Sequence, residues 1–275
     1  SITVTEGTIV PESHLYISNG GNGDYDVTGI TYDVNGNIQN LVRNGQGAMD
    51  NLTYKYRTRE NDPSLTKDYP NQLLRVEDTV DDNVVANDDI DNQTGSNYEY
   101  NEIGQLVYDN SEQIAYFYNT SGLVTEVKKG SFTAVKFQYN DRNHRIRKES
   151  FNPNNGNFMQ NTYYVRDVSG QVMAIYDDYE GSIALKEQPI YGAGRVGVAY
   201  NGTGNTKQYV YEMTDHLGNV RALFTKNSND ATLEGVTDYY PFGMTMPNRK
   251  LNDAVGYRYA YQGQEKDTET GKEAF

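Results

Sequence analysis

Six times along this chain an Asp or Asn is followed, after two free positions, by a Gly or Asn, and then by one more residue and an aliphatic. The instances are Asp33 to Gly36 with Ile38, Asn101 to Gly104 with Leu106, Asn119 to Gly122 with Val124, Asp167 to Gly170 with Val172, and Asp215 to Gly218 with Val220. Asn140 to Asn143 with Ile146 reads as a variant one residue longer. A type I turn favours Asp or Asn at its first position, where the side chain accepts from backbone N–H groups ahead of it, and Gly at its fourth, where φ is often positive. The pattern therefore predicts hairpins closed by a bulged turn. From Asn101 to Asp167 the copies lie about 20 residues apart, the length of a two-stranded hairpin with its connections.

What precedes the turns fits incoming strands. Aromatics alternate at Tyr54 and Tyr56, Tyr98 and Tyr100, Tyr116 and Tyr118, Phe137 and Tyr139, and Tyr209 and Tyr211, and Tyr257, Tyr259 and Tyr261 extend the pattern. A period of two puts each set on one face of a sheet, so stacked hairpins are expected to share an aromatic layer. With 36% hydrophobic residues the chain is poor in aliphatics, and its 25 Tyr take over, burying a ring while keeping a wet hydroxyl. Two stretches break the rhythm: the acidic, Asn-rich region from Asp62 to Gly95 and the Gly/Asn/Thr run from Asn201 to Thr206, both expected as insertions at hairpin tips. The fold class is all-β.

Charge and composition remove several functions. A formal net charge of −14 argues against a nucleic-acid partner, whose phosphates are bound largely through Lys and Arg, and against an anionic membrane surface. No apolar run nears the roughly 20 residues of a spanning helix, so no membrane insertion is expected. Zero Cys excludes disulfides, thiolate metal sites and a Cys nucleophile. Ser1 to Val10 lacks the basic-then-apolar order of a signal peptide, and the chain reads as a piece of something longer.

The wording of the repeats now becomes specific. YDVNGNI at Tyr32 to Ile38, YNEIGQL at Tyr100 to Leu106 and YNDRNHRI at Tyr139 to Ile146 resemble the YD repeat of RHS proteins, a family that includes bacterial polymorphic toxins, components of insecticidal toxin complexes and animal teneurins. The C-terminal quarter resembles the RHS-repeat-associated core, through YVYEMTDHLGNVRALF from Tyr209, DYYPFGM from Asp238 and YRYAYQGQEKDTETG from Tyr257. The likeness covers Thr28 to Phe275, weakly through Thr58 to Gln93, and the DYYPFGM and GQEKD wording is similar to Bacteroidota versions, whose large surface proteins commonly leave by the type IX route. It implies a sheet ribbon spiralling into a hollow shell: a repeat region over residues 1–208, with the acidic insertion near 62–95, and a core region over 209–275 that stops before its end. In toxin members the shell encloses a C-terminal effector released by aspartate-based self-cleavage, at residues that lie beyond the GQEKD segment.

Candidate chemistry is sparse. Gly192, Gly194 and Gly197 match the dinucleotide fingerprint letter for letter, but the residues after them read as strand then turn, so a glycine-kinked hairpin is expected. His216 beside Asp215 invites a catalytic reading, yet no third partner is marked; Asp215 is expected to cap a turn with His216 packed and hydrogen-bonded. His14 and His144 are scattered, which disfavours a His-based zinc site. Asp81, Asp82, Asp88, Asp89 and Asp91 lack the spacing of a calcium loop. Arg166, Arg195, Arg221 and Arg258 are expected to stack on rings or pair with cross-strand acids. The residues with defined roles are thus structural: the Asp/Asn and Gly of the turns, together with His216, Arg221, Pro241, Phe242, Gly243 and Gly263 of the core-like wording.

These readings predict a non-catalytic shell or scaffold of a secreted or cell-surface bacterial protein, without cofactor. Its expected partners are the remainder of its own polypeptide and secretion or surface-anchoring proteins. Two rivals carry different outcomes: an adhesin or carbohydrate-binding scaffold, whose exposed Tyr stack on sugars, and a self-cleaving toxin part.

Overall fold

The computed structural model describes residues 23–81, 89–201, 206–227, 230–251 and 256–271. The first ten residues, His14, Asp82, Asp88 and most of the Asn201 to Thr206 run lie outside the described residues. Among the described residues the chain is all-β. The first sheet holds β1 (Val27–Tyr32), β2 (Ile38–Gly45), β3 (Gly47–Arg57) and β4 (Tyr69–Asp78) in chain order. The second begins with β5 (Tyr98–Tyr100), β6 (Leu106–Asp109), β7 (Ile114–Tyr118), β8 (Val124–Lys129), β9 (Phe132–Tyr139), β10 (Arg145–Phe151) and β11 (Phe158–Arg166). It continues through β12 (Val172–Tyr179), β13 (Ser182–Tyr191), β14 (Arg195–Asn201), β15 (Lys207–Thr214), β16 (Val220–Asn227), β17 (Asp230–Tyr239) and β18 (Thr245–Leu251). Within each sheet every strand pairs antiparallel with its chain neighbours, and the second sheet is a meander of 14 strands; β4 and β5 do not pair.

The turns explain the regularity. Asp33 N donates to Asn37 O (2.9 Å) and Gly36 N to Asp33 O (3.1 Å), while Asp33 Oδ1 accepts from the N–H of Asn35 (2.8 Å) and Asn37 (2.9 Å). The same four bonds recur at Asn101, Asn119, Asn140, Asp167 and Asp215. One side-chain oxygen thus takes two amides that the strand ladder leaves free. The fourth residue turns left-handed, at φ 92° in Gly170, where a side chain would also collide with the His144 ring of the neighbouring turn. After each turn the register skips one residue: Tyr100 faces Leu106 but Glu99 faces Tyr108, and Tyr118 faces Val124 but Phe117 faces Glu126. A bulge at the same place in each of these hairpins bends the ribbon the same way each time.

Three expectations change here. Asn140 to Asn143 is no longer variant, because Arg145 stands opposite Tyr139 in the aliphatic position and Ile146 is the bulged residue. The Asp62 to Gly95 stretch is not all insertion, since β4 forms within it and pairs along β3. The aromatic layer is interrupted, because Tyr209 and Tyr211 lie on the face opposite Val210 and are 45% and 41% exposed. The 208/209 boundary falls inside β15, and the sheet runs through it.

The Tyr that opens a turn reaches sideways to its neighbour. Tyr118 Oη donates to Leu106 O (2.6 Å), Tyr139 to Val124 O (2.7 Å), Tyr191 to Val172 O (2.9 Å) and Tyr56 to Ile38 O (2.7 Å). Each acceptor is the first residue after the previous turn. Where the opening residue is Arg166, its Nε takes over and donates to Arg145 O (3.0 Å). These turns share one rim of the ribbon, and each is tied to the one before it.

The ribbon then returns to itself. Tyr240, in the turn between β17 and β18, is buried against the β2–β3 tip; its hydroxyl donates to Asn44 O, and Arg43 stacks on its ring at 5.6 Å. Tyr25 Oη donates to Pro247 O (3.1 Å), and Arg249 covers the Tyr25 ring at 4.4 Å. The turn rim of β17–β18 therefore rests on the opposite rim of β2–β3, fifteen strands earlier. At the usual strand spacing that is roughly 70 Å of ribbon for one turn of a spiral.

Tyr118→Phe and Tyr139→Phe should each cost about 1 kcal/mol by removing one inter-turn hydrogen bond with little change in packing. Equilibrium urea unfolding of the single and double variants checks this. Gly170→Ala should cost about 1–3 kcal/mol, because it adds a left-handed residue and a clash at one position.

Candidate functional site

The residues that follow β18 leave the sheet plane. Tyr257–Gly271 forms a strap across one sheet face, and its first part copies the repeat: Ala260 N donates to Gln264 O (3.0 Å), Gly263 N to Ala260 O (3.0 Å), and Tyr259 bridges Glu265. This is the same turn, with Glu265 in the aliphatic position, folded over the sheet instead of added to its edge. Tyr257, Tyr259 and Tyr261 are therefore not a strand of the sheet: Tyr261 opens a 3-10 turn (Tyr261–Gly263). Its neighbours Tyr257 and Tyr259, with ring centroids 5.6 Å apart, are buried on Val198, Tyr200, Val210, Val220 and Leu223 of β14 to β16.

From Gln264 onward the strap runs toward β8. Its alternate residues are acids that face the sheet. Asp267 takes a two-pronged bond from Arg145 (3.1 and 2.8 Å), and Lys148 Nζ lies 2.8 Å from Glu269, 3.2 Å from Asp267 and 3.4 Å from Glu265. Glu265 also accepts from Tyr164 Oη (2.8 Å) and Arg258 Nη1 (2.9 Å), and Arg258 Nε pairs with the buried Glu187 of β13. Ser150 Oγ donates to Glu269 (2.9 Å), and Lys129 Nζ to Thr270 O (2.8 Å) at the far end. Near the other end Arg195 lies on the Tyr259 ring at 3.5 Å and donates to Gly263 O (3.0 Å).

Period two on β10 explains how two cations meet one strap. The bulge at Ile146 resets the alternation, so Arg145 and Lys148 reach the same face. Burial pushes the Glu265 carboxyl up, but Arg258, Lys148 and Arg145 more than offset it and hold it below its ordinary value. Burial likewise opposes charge on Lys148, and Glu265, Glu269 and Asp267 override it, so its pKa is raised. For Glu187 burial dominates, and Arg258 leaves its pKa raised. Four acids thus face three cations, and Glu187 is the carboxyl whose environment favours a proton.

The sequence-derived residues fall in different places. Asp33, Gly36, Asn101, Gly104, Asn119, Gly122, Asp167, Gly170, Asp215 and Gly218 lie in turns of the shared rim. His216 is exposed in its turn instead of packed, because the type I geometry points its second residue outward. Pro241, Phe242 and Gly243 make the turn beside Tyr240, with Phe242 and Gly243 left-handed at φ 74° and 96°. Arg221 pairs with Asp238 and with Asp215 (3.6 Å). Gly192 and Gly194 close the β13–β14 turn, and a side chain at Gly197 would overlap Val210 O on β15. Among these Gly263 lies in the strap itself, where its carbonyl accepts from Arg195, and a side chain at Gly243 would overlap the strap's Tyr261 ring. Glu265, Asp267 and Glu269 carry a local signal in the sequence, acids at alternate positions. Among the described residues no group of three or more His, Asp or Glu converges as metal ligands.

No family model matches the chain. A stretch of 142 residues, 50% of the chain, is 28% identical to Salivary gland surface protein 1 of Aedes aegypti and spans 4% of that protein. Among solved structures, the Photorhabdus luminescens Tc holotoxin pore with the TccC3-D651A mutation overlaps 90% of this chain and 16% of its own, at 12% identity and a TM-score of 0.33. TcdB2-TccC3 without its hypervariable C-terminal region overlaps 88% of this chain and 18% of its own, at 12% identity and a TM-score of 0.36. The chain spans less than a fifth of either.

Lys148→Met should destabilise by about 3–5 kcal/mol, because it strands buried carboxylates. Chemical unfolding with a probe on the strap reads the loss. Acid should free the strap as well. Glu265 sits below its ordinary 4.5, so its contribution is present above pH 4.5 and is lost as pH falls through its lower bound-state value. Lys148 sits above its ordinary 10.5, so its contribution is complete below pH 10.5 and fades as pH rises past its higher one. Glu187, raised instead of lowered, works against the acid loss. Limited proteolysis near Gly271 should be flat at neutral pH and rise below pH 4.5.

Proposed function

We propose that the chain is a non-catalytic wall segment of an RHS/YD-repeat protein, a secreted or surface shell that encloses or displays another part of its own polypeptide. The observation that carries this reading is the ribbon itself: one turn chemistry, one bulge and one Tyr clasp repeat until the rims meet. Such a wall pairs its inner strands on both sides and separates an inner surface from bulk solvent. The YD and core-like wording of Tyr32 to Ile38 and Tyr209 to Gly271 supports placement in that family. A non-enzymatic role is supported by the strap cluster, where Glu265, Asp267 and Glu269 are committed to cations. Export, by the type IX route or another, and any anchoring partner follow from the wording alone.

A second reading has one observation in its favour. Tyr209, Tyr211 and Met213 of β15 stand exposed in a row on the face away from the strap, a surface on which sugar rings can stack. This would make the segment an adhesin scaffold.

Electron microscopy of the intact native protein separates the two. A closed wall around internal density is the expected result, and an open ribbon projecting from the cell surface would overturn enclosure. For the second reading, glycan-array binding that disappears in Tyr209→Ala/Tyr211→Ala is the supporting outcome.

A further inference from the structure

The strap is recognised like a bound peptide. Its determinants lie within Tyr257–Gly271: an aromatic pair, a tight turn, then acids at every second residue. Its groove is prepared for them, with an aliphatic floor on β14 to β16 and the cations Arg145 and Lys148 on β10. Among the backbone-to-backbone bonds outside the strand ladders, Val220 N to Ala260 O (3.1 Å) joins the strap to the sheet; the other bonds described above use side chains. Recognition by side chains needs no covalent continuity between strap and sheet. In a chain of net charge −14, buried cations also make an empty groove costly, so one acidic strap leaves most readily when another replaces it.

We propose that strap and groove are an exchangeable ligand–receptor pair, and that the groove of one copy accepts the strap of a second copy of this chain. The strap is a repeat hairpin turned inward, so exchange needs no refolding of the sheet. Symmetry then gives a closed dimer in which each copy supplies the other's strap. Charge sets the specificity, since a strap lacking acids at 265, 267 and 269 leaves Arg145 and Lys148 unpaired.

The test keeps the full chain. Glu265→Gln/Asp267→Asn/Glu269→Gln loosens the strap and leaves the groove intact. A fluorescein-labelled peptide of sequence Tyr257–Gly271 is titrated onto this variant by anisotropy, beside a peptide carrying the same three neutral substitutions. The acidic peptide should bind about 100-fold more tightly than the neutral one, and tighter to the variant than to the parent chain. No binding to a variant that keeps the parent's far-UV circular dichroism overturns the proposal, as does equal binding of both peptides. If the variant loses its sheet, sedimentation of the parent chain decides. A concentration-dependent dimer dispersed by the acidic peptide supports exchange; a monomer at every concentration, or a dimer indifferent to the peptide, overturns it.

Discussion

The structure rests on one carboxamide or carboxylate oxygen at each of six hairpin turns. At Asp33, Asn101, Asn119, Asn140, Asp167 and Asp215 that oxygen accepts from the amides two and four residues ahead, and both would otherwise point into solvent at the end of a ladder. Holding the turn at this length fixes which residues face each other across the hairpin. The one-residue bulge then follows, and with it the bend of the ribbon. Curvature is accumulated locally, one hairpin at a time, until Tyr240 meets Asn44.

The strap uses the same turn for another end. In the wall, the residue after the turn is usually aliphatic and its carbonyl receives the next Tyr. In the strap that position is Glu265, which meets Arg258 and Lys148 on the sheet face. The cluster is stabilised because acids and bases arrive together, and either set alone would be buried without compensation.

Much of the wall was legible in the sequence, because turn chemistry and period-two aromatics are local signals. Asp33, Gly36 and Ile38 report their roles within six residues. The losses came where a tertiary partner decides. Arg145 replaces an aliphatic in its turn, which only its partners Asp267 and Phe137 make intelligible. β4 was hidden inside an acidic stretch whose composition resembles a loop, and its strand character comes from pairing with β3. Tyr257 and Tyr259 alternate like strand residues and are buried like core residues, yet nothing local says that they cross a sheet.

The Tyr clasps have a mechanical consequence. They join nearest neighbours only, so a load applied at one end of such a ribbon would peel hairpins in sequence, each release exposing the next. The strap, bound to β16 at one end and to β8 at the other, bridges strands that share no clasp. Between those strands a pull meets many hairpins in parallel instead of one at a time, and the wall yields as a block or holds.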